Sequence, residues 1–586
     1  MSESWPGGRS KVELSVDLNT PIEMRDGTVT RADVYRPKAA GRYPVILQRT
    51  PYDKSLGQAS YYAMRPVRAV SRGYAVVIQD VRGRYASDGS FYPMTQEIKD
   101  GYDTVEWCAS QSWSSGKVGM WGPSYVGATQ WLAAASVPPH LTCIAPCITA
   151  SNYYEEWFYR SGALQLGFVE AWILDSFASA ELLRKGRAKE AEKLLKIADE
   201  MDKKAFRFFP LREIPYFRGN AEYIYDWLKH TEQDAYWERI NLENYHEKIK
   251  VPAFNIGGWY DIFLQGTING FVRMKKLGKT AASREPQLVI GPWMHWGRGP
   301  WFEKLVGDID FTHTASQKTI DLEGMMLDFY DRWMKERPKT KAPAPVKIFV
   351  MGENVWRDEN EWPLARTKYT EFYLHSDGSA NTLEGDGTLT EATPRDESPD
   401  RFVYDPLDPA PSIGGALCCN VTFTPAGAYD QRPIEKRKDV LVYSTPTLRR
   451  DIEVTGPVVL KLCASTSAPD TDFTGKLVDV WPCGLAQNIT QGIIRARYKD
   501  SRKTAKLVQP GKVYEYTVDL WSTSNVFKKG HSIRLEVSSS NFPHFDRNMN
   551  TAKHPSQESN PVVALQHIYH DRSHPSRLVL PVIPRP

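Results

Sequence analysis

The sequence predicts an α/β domain that is interrupted by a helical insertion and followed by a β-sandwich. Continuous apolar runs alternate with amphipathic ones over residues 1–150 and again over 246–345, which is typical of a mostly parallel sheet with helices on both faces. Residues 151–245 are rich in strong helix formers. Over residues 346–586 the helical patterns give way to short alternating strands separated by turn residues. A chain of 586 residues is expected to form several domains.

The first region begins with a predicted hairpin, because "VELSVDL" and "VTRADVYRP" flank the turn "RDGT". Apolar strands follow at 43–50, 74–81 and 141–147, and "MTQEIKDGYDTVEWCAS" predicts a helix. A further strand is predicted at 118–121 and a helix at 128–135. These elements supply the strands and covering helices of the α/β domain.

The insertion is predicted from "AELLRKGRAKEAEKLLKIADEMDKKAF", which is amphipathic with helical periodicity, and we expect no strand within it. The sheet pattern resumes with "VPAFNIGGWYD" at 251–261 and "PQLVIGPWMHW" at 286–296. Beyond these, "VKIFVMG", "YTEFYLHS", "VVLKLCAS" and "SIRLEVSSS" alternate apolar and polar residues, which predicts the strands of the β-sandwich.

Composition excludes several classes of protein. Lys and Arg total 74 against 70 Asp and Glu, so the net charge of +4 argues against a nucleic-acid partner. No apolar run is long enough to span a membrane, and the N-terminal stretch does not resemble a signal peptide, so we expect a cytoplasmic protein. Separately, we expect a monomer or a homodimer. Seven cysteines do not suggest a disulfide framework, and Cys418 and Cys419 are expected to be packed thiols.

The stretch "VGMWGPSYVGATQW" places Ser124 on a sharp turn between a predicted strand and a predicted helix. A serine in that position is held out of the sheet, and the helix N-terminus directs backbone N–H groups toward whatever the hydroxyl attacks. The alternative is that Ser124 only caps the helix. The stretch alone does not decide between the two.

A nucleophilic serine needs a base and an acid that orients the base. Asp261 follows the strand in "GGWYD" and His295 follows the strand in "GPWMH", so both lie at predicted strand ends. The chain order Ser124, Asp261, His295 is that of α/β-hydrolase enzymes. Asp88 in "SDG" is a competing acid, but the nearby arginines Arg82 and Arg84 favour a structural ion pair for it.

An oxyanion requires hydrogen-bond donors. One is the backbone N–H of Tyr125, which follows the serine, and Tyr52 in "QRTPYDKS" offers its phenol hydroxyl as a second. The motif departs from the common pattern G-x-S-x-G, because the second glycine, Gly127, follows Ser124 by three residues.

Several motifs together resemble the cocaine esterase and X-prolyl dipeptidyl peptidase superfamily: "GPSYVG", "RTPY", "DVRGRYASDG", "GWYD", "GPWMHW" and "GENVWRDENEWP". The resemblance covers nearly the whole chain. It implies an α/β-hydrolase domain with a helical cap and a C-terminal jelly roll. It also implies Ser124 as nucleophile, Asp261 and His295 as its triad partners, and Tyr52 and Tyr125 as the oxyanion hole.

The resemblance is nearer to the cocaine esterase branch and implies an aromatic acyl pocket lined by Trp157, Trp172 and Phe263. α-Amino-acid ester hydrolases carry acidic residues at two and three positions after the aspartate, where this chain has Phe263 and Leu264. An apolar group there leaves a substrate ammonium unpaired. We therefore expect Phe263 on the rim of the site and a preference for uncharged apolar or aromatic acyl groups.

The leading hypothesis is a serine hydrolase that cleaves such esters, and by extension amides, through an acyl-enzyme. One alternative is an X-prolyl dipeptidyl peptidase, which needs acidic residues for a peptide N-terminus; Glu155, Glu156 and Glu170 are available. An alternative of another class is a non-catalytic carbohydrate-binding protein.

No cofactor or metal is expected. The histidines in "HIYHDRSH", His567, His570 and His574, lack zinc-like partners and are interpreted as part of a solvated loop. "DTDFTG" begins like a calcium loop but has Trp481 where the bidentate glutamate is required.

Overall fold

The computed structural model describes residues 13–56, 64–295, 302–335 and 343–585. Its strands form a ten-stranded sheet, an eleven-stranded sheet and two short hairpins. The predicted fold class is confirmed: an α/β-hydrolase-type N-terminal domain with a large mixed sheet precedes an all-β C-terminal domain.

The strands are β1 (Leu14–Glu23), β2 (Val29–Pro37), β3 (Tyr43–Thr50), β4 (Ala75–Asp80), β5 (Ser114–Pro123), β6 (Leu141–Cys147), β7 (Tyr159–Arg160), β8 (Ala163–Leu164), β9 (Phe254–Tyr260), β10 (Gln287–Met294), β11 (Leu305–Val306), β12 (Ile309–Asp310), β13 (Val346–Val350), β14 (Val355–Glu359), β15 (Lys368–His375), β16 (Thr388–Thr390), β17 (Asp400–Tyr404), β18 (Leu441–Ser444), β19 (Ile452–Thr466), β20 (Asp472–Val480), β21 (Ala486–Arg495), β22 (Tyr514–Phe527), β23 (Ser532–Ser538), β24 (Ala564–Tyr569) and β25 (Arg577–Ile583).

The α-helices are α1 (Pro66–Ser71), α2 (Glu97–Ser110), α3 (Tyr125–Ala135), α4 (Leu166–Ile173), α5 (Ser179–Arg184), α6 (Ala188–Ala198), α7 (Tyr223–Lys229), α8 (Ala235–Glu238), α9 (Leu264–Leu277), α10 (Leu322–Met334) and α11 (Arg432–Glu435). Two π-helical turns, πA (Tyr154–Phe158) and πB (Leu174–Ala178), lie in the insertion. Short 3₁₀ turns occur at Leu211–Glu213, Leu242–Asn244, Ala282–Arg284, His313–Ala315, Ala496–Tyr498 and Pro555–Gln557.

The first sheet has the strand order β1-β2-β4-β3-β5-β6-β9-β10-β13-β14. The predicted hairpin is confirmed, since β1 and β2 pair antiparallel, and the strands from β4 and β3 across to β13 are parallel. In β3, Val45 and Leu47 belong to the core cluster that includes residues of α2 and α3, whereas Ile46 between them belongs to the cluster that includes residues of α1 and α10. This period of two places apolar residues on both faces, which is why the strand is an uninterrupted apolar run.

The insertion is helical as predicted, but it contains the two-residue hairpin β7–β8. The expectation that no strand interrupts it is therefore wrong. The hairpin turns at Ser161 and Gly162, both of which have positive φ, at 49° and 87°. A pair of strands this short has no periodicity to detect in the sequence.

The strand predicted from "VKIFVMG" belongs to the first sheet and not to the β-sandwich. It forms β13, which pairs parallel with β10, and β14 then closes that edge antiparallel. Alternation predicts a strand without predicting which sheet it joins. The remaining β region forms the eleven-stranded sheet, in which the long strand β19 pairs with β22, β24 and β25.

Two smaller expectations also need correction. Cys418 and Cys419 are joined in a disulfide between adjacent residues rather than packed as thiols. Asp88 makes no ion pair within the described ranges; Arg82 pairs instead with Asp26 and Asp100. No helix in the part of the chain that the structure describes is long and apolar enough to cross a membrane.

Candidate active site

Ser124 lies between the end of β5 and the first residue of α3, in a backbone conformation with φ 60° and ψ −127°. Its own N–H donates to the carbonyl of Cys147, and its carbonyl accepts from the N–H groups of Gly127 and Ala128. Its hydroxyl makes no hydrogen bond that caps the helix. A non-glycine residue held at positive φ marks a strained turn of the kind found at functional sites. The helix-cap alternative therefore does not account for this serine.

The unusual glycine spacing has a steric explanation. A Cβ atom on Gly122 would lie 2.3 Å from Cγ1 of Val126, so the valine occupies the space that the glycine leaves. A Cβ atom on Gly127 would lie 2.8 Å from Cβ of Thr149. The close approach of α3 to the loop after β6 thus requires glycine at 127, one residue later than in the common pattern.

Asp261 and His295 are brought together by the sheet. Each follows the last residue of its strand, and β9 and β10 are parallel neighbours in which Tyr260 is paired with Met294. The imidazole Nδ1 of His295 lies 2.9 Å from Oδ2 of Asp261, and Nε2 lies 3.0 Å from Oγ of Ser124. The three predicted side chains therefore form one continuous hydrogen-bonded chain.

The three hydrogen-bonded side chains are shielded from water. Ser124 is 8 % exposed, His295 3 % and Asp261 0 %. The second oxygen of Asp261, Oδ1, accepts the N–H of Phe263 at 2.7 Å. A buried carboxylate that is hydrogen-bonded on both oxygens holds its orientation, so it can fix the orientation of the imidazole.

The side chain of Tyr125 points away from Ser124. Its hydroxyl donates to Oε1 of Glu97 at 2.9 Å and accepts the N–H of Met94 at 2.8 Å. Glu97 is in turn paired with Arg49 at 2.6 Å. Burial raises the pKa of the Tyr125 phenol well above its usual value, so the phenol keeps its proton. Only the backbone N–H of Tyr125 remains as the predicted oxyanion donor.

Tyr52, the second predicted oxyanion donor, contacts the aromatic residues of the insertion. Its hydroxyl oxygen accepts the indole N–H of Trp172 at 3.0 Å. Burial raises the pKa of Tyr52 to about 12, against the opposing effect of its interactions with Trp172 and Ser124. The phenol therefore stays protonated at neutral pH and is able to donate a hydrogen bond.

The predicted pocket residues form one aromatic cluster with Phe168. Phe263 stacks on Trp157 with ring centroids 4.1 Å apart, Trp157 lies 5.6 Å from Trp172, and Phe168 lies 5.5 Å from Trp172. The expected rim position of Phe263 is wrong, because its side chain is fully buried and its ring packs on the imidazole of His295. The backbone N–H of Phe263 donates to the carboxylate of Asp261, and this hydrogen bond folds the turn inward.

Sequence reasoning missed Phe168 and Phe177. Phe168 precedes Trp172 by four residues on α4, a helical spacing that the sequence does carry. Phe177 stacks on Tyr52 at 6.0 Å and lies 4.6 Å from Trp172, but it sits on the π-helical turn πB, where α-helical periodicity no longer applies.

The acidic residues of the insertion have other partners. Glu155 accepts the N–H of Ser161 at 2.9 Å, and Glu156 accepts from the amide of Asn269 at 2.5 Å. Glu170 is fully buried, and within the described ranges its one hydrogen bond is from the hydroxyl of Tyr216 at 3.4 Å; burial raises the pKa of Glu170 well above its usual value. Burial thus favours the neutral form of Glu170, which is a poor partner for an ammonium.

The interpretation of the C-terminal histidines as part of a solvated loop is wrong for His567, which lies in β24, and for His570, whereas His574 lies between β24 and β25 and is partly exposed. His570 is buried between two carboxylates, with Nε2 2.9 Å from Asp400 and Nδ1 3.1 Å from Glu397. Within the described residues, no group of three His, Cys, Asp or Glu side chains could hold a metal ion.

Comparison with known proteins identifies the family of the chain. Residues 26–297 match the X-Pro dipeptidyl-peptidase (S15 family), and residues 338–579 match the X-Pro dipeptidyl-peptidase C-terminal non-catalytic domain. The chain is 39 % identical to the cocaine esterase of Rhodococcus sp. (strain MB1 Bresler) over 583 residues, which span 97 % of this chain and 99 % of that protein. It belongs to the cocaine esterase family.

Two solved structures share the fold over nearly the full length. An aminopeptidase from a marine sediment Thaumarchaeota archaeon has a TM-score of 0.80 at 24 % identity and covers 100 % of this chain and 99 % of its own. An α-amino acid ester hydrolase has a TM-score of 0.78 at 25 % identity and covers 99 % and 98 %. Family membership makes the chain a serine ester hydrolase acting on a small molecule, and it leaves the carbohydrate-binding alternative without support.

Proposed function

We propose that Ser124, His295 and Asp261 form the catalytic triad of this hydrolase, with the Tyr125 N–H and the Tyr52 hydroxyl as oxyanion donors. The observation that carries the proposal is the hydrogen-bonded chain from Ser124 through His295 to Asp261, with distances of 3.0 and 2.9 Å. A serine hydroxyl is a weak nucleophile unless such a base accepts its proton.

The geometry supports acyl transfer in two steps. Oγ of Ser124 attacks the ester carbonyl while Nε2 of His295 takes the serine proton, and the carbonyl oxygen becomes an oxyanion held by the two donors. The C–O bond to the alcohol then breaks, and the imidazolium returns its proton to the departing alcohol. Water repeats the sequence on the acyl-enzyme and releases the acid and the free serine.

We propose that the acyl group of the substrate is apolar or aromatic. Trp157, Trp172 and Phe263 form one buried cluster, in which Phe263 packs on His295. Binding of an aromatic acyl ring against these apolar side chains is favourable because it removes apolar surface from water. The carboxylates that a free α-amino group would need are engaged elsewhere or favour the neutral form. An ammonium placed there would be desolvated without a partner.

A substrate panel tests this proposal. Aryl benzoates, α-amino-acid aryl esters and Xaa-Pro anilides are assayed in parallel with wild type and Ser124→Ala. We expect kcat/KM for benzoates to exceed that for amino-acid esters at least about tenfold, which corresponds to roughly 1.4 kcal/mol. Faster cleavage of the amino-acid ester would contradict the acyl preference, and faster cleavage of the Xaa-Pro anilide would establish the peptidase alternative.

A cytoplasmic location and a monomeric or homodimeric state stay predictions.

A further inference from the structure

The contact between Trp172 and Tyr52 fixes the direction of a proton. The indole Nε1 lies 3.0 Å from the phenol oxygen of Tyr52. An indole N–H is only a donor, so the phenol oxygen must accept in this pair. The hydrogen of the phenol is therefore not used in this contact and can be donated to another acceptor.

We propose that Trp172 is a positioning residue for the oxyanion hole: its N–H occupies the phenol oxygen of Tyr52, so that the phenol hydrogen points away from Trp172 and is left for the oxyanion. This inference rests on the proposed function, in which the Tyr52 hydroxyl stabilises the oxyanion. It gives Trp172 a role beyond that of an apolar wall.

Four further contacts hold Tyr52 and Trp172 in place. The ring of Phe177 stacks on Tyr52 with an angle of 8° between the planes, and it meets Trp172 edge to face at 4.6 Å. Arg84 donates from Nε to the carbonyl of Pro51 at 3.0 Å and from Nη2 to the carbonyl of Ser176 at 2.9 Å. The loop that carries Tyr52 and the turn after Trp172 are thus tied together independently of the N–H bond itself.

The electrostatic effect has a definite sign. A donor at the phenol oxygen polarises the O–H group and stabilises the negative charge that develops there when Tyr52 donates to an oxyanion. The same contact works against the burial that raises the Tyr52 pKa. The benefit is largest in the tetrahedral intermediate, where the negative charge on the oxyanion is fully developed.

A role in the oxyanion hole and a role as pocket wall predict different kinetics. Removing a donor that acts through Tyr52 lowers kcat and leaves KM nearly unchanged, and the loss disappears once the Tyr52 hydroxyl is gone. Removing part of a pocket wall raises KM whether or not Tyr52 keeps its hydroxyl. Double-mutant cycles therefore separate the two roles.

Trp157 supplies a matched control. It is buried in the same cluster, 5.6 Å from Trp172, and among the described residues its indole N–H has no hydrogen-bond partner. Trp157→Phe and Trp172→Phe thus remove the same volume from one aromatic cluster, but only the second removes a hydrogen bond. A benzothienylalanine at position 172 keeps the shape of the indole and replaces its N–H by sulfur, which serves if Trp172→Phe folds poorly.

The experiment measures kcat and KM for an aryl benzoate with wild type, Trp172→Phe, Trp157→Phe, Tyr52→Phe and the Tyr52→Phe/Trp172→Phe double variant, with melting temperatures as folding controls. We expect Trp172→Phe to lower kcat about five- to tenfold with KM within about twofold, the size of one hydrogen bond. In the Tyr52→Phe background the same change should alter kcat by less than about twofold. Trp157→Phe should lower kcat less than Trp172→Phe does.

Equal losses of kcat in both backgrounds, or an effect on KM alone, would overturn the positioning role and leave Trp172 as a pocket wall. Equal kcat losses in Trp157→Phe and Trp172→Phe would overturn it as well, since they would report lost volume. Failure of the proposed function is visible separately, because wild type would then show no turnover that depends on Ser124.

Discussion

The ring of Phe263 meets the imidazole of His295 edge to face, with centroids 4.9 Å apart and 89° between the planes. The backbone N–H of the same residue bonds Oδ1 of Asp261. Phe263 therefore supports both partners of the proposed triad, one through its side chain and the other through its backbone. Its burial against His295 makes it a support for the proposed base, in addition to its proposed place in the acyl pocket.

Phe263→Leu should lower kcat about three- to tenfold, because an edge-to-face pair contributes roughly 0.5–1.5 kcal/mol beyond area burial and the imidazole loses that restraint. Steady-state kinetics with an aryl ester, together with melting temperatures, check this. Phe168→Leu is the matched control, since Phe168 packs on Phe263 at 5.6 Å in the same cluster. A larger kcat loss in the control would contradict the support role.

Tyr52→Phe keeps the ring that stacks on Phe177 and deletes one oxyanion donor. We expect kcat to fall on the order of 10² to 10³ with little change in KM, as for other single oxyanion donors. Stopped-flow measurement of acylation locates the loss in the chemical step. If KM alone rises, Tyr52 binds the ground state and is not an oxyanion donor.

Asp261→Asn leaves a carbonyl oxygen for the N–H of Phe263 but can present an amide N–H₂ to Nδ1 of His295. The imidazole then carries its proton on Nε2, where it cannot accept the proton of Ser124. We expect kcat to fall on the order of 10⁴. A loss below about tenfold would show that Asp261 does not set the tautomer. Circular dichroism and melting temperature serve as controls for folding.

The buried pair of His570 with Asp400 and Glu397 predicts a pH dependence of stability. These carboxylates raise the pKa of His570, although burial opposes them. A raised folded-state pKa contributes stability that is complete below the unfolded pKa of about 6.5 and is lost as pH rises through the folded pKa. Wild type should therefore lose stability as the pH rises from about 6.5 through the folded-state pKa of His570. The stability of His570→Gln should not fall with pH in this way. Melting temperatures from pH 5.5 to about 9 measure both proteins; parallel slopes would contradict the assignment.

Ser124, Asp261 and His295 could be predicted from sequence because each follows a strand end, and parallel strands end at one edge of the sheet. The reason that the sequence offers against the competing acid Asp88, an ion pair with nearby arginines, is not what the structure shows, since Arg82 pairs with Asp26 and Asp100. The Trp172–Tyr52 bond was not predictable, since it joins residues 120 positions apart on elements that share no periodic pattern.

Other features escaped prediction for similar physical reasons. The burial of Phe263 depends on how one turn folds against Asp261, which neither composition nor period reveals. The strand β13 has the alternation of a sandwich strand, yet it pairs with β10. The position of Gly127 became intelligible only from its approach to Thr149. Periodicity predicts elements, whereas contacts between elements that are distant in sequence decide these details.

The most direct test of the central claim is labelling with a fluorophosphonate, which reacts only with an activated serine. Labelling should be stoichiometric, abolish ester turnover, and map by peptide mass spectrometry to Ser124. Ser124→Ala should fold with an unchanged melting temperature, take up no label and lose on the order of 10⁴-fold or more in kcat. Label on another residue, or turnover that survives in Ser124→Ala, would contradict the account.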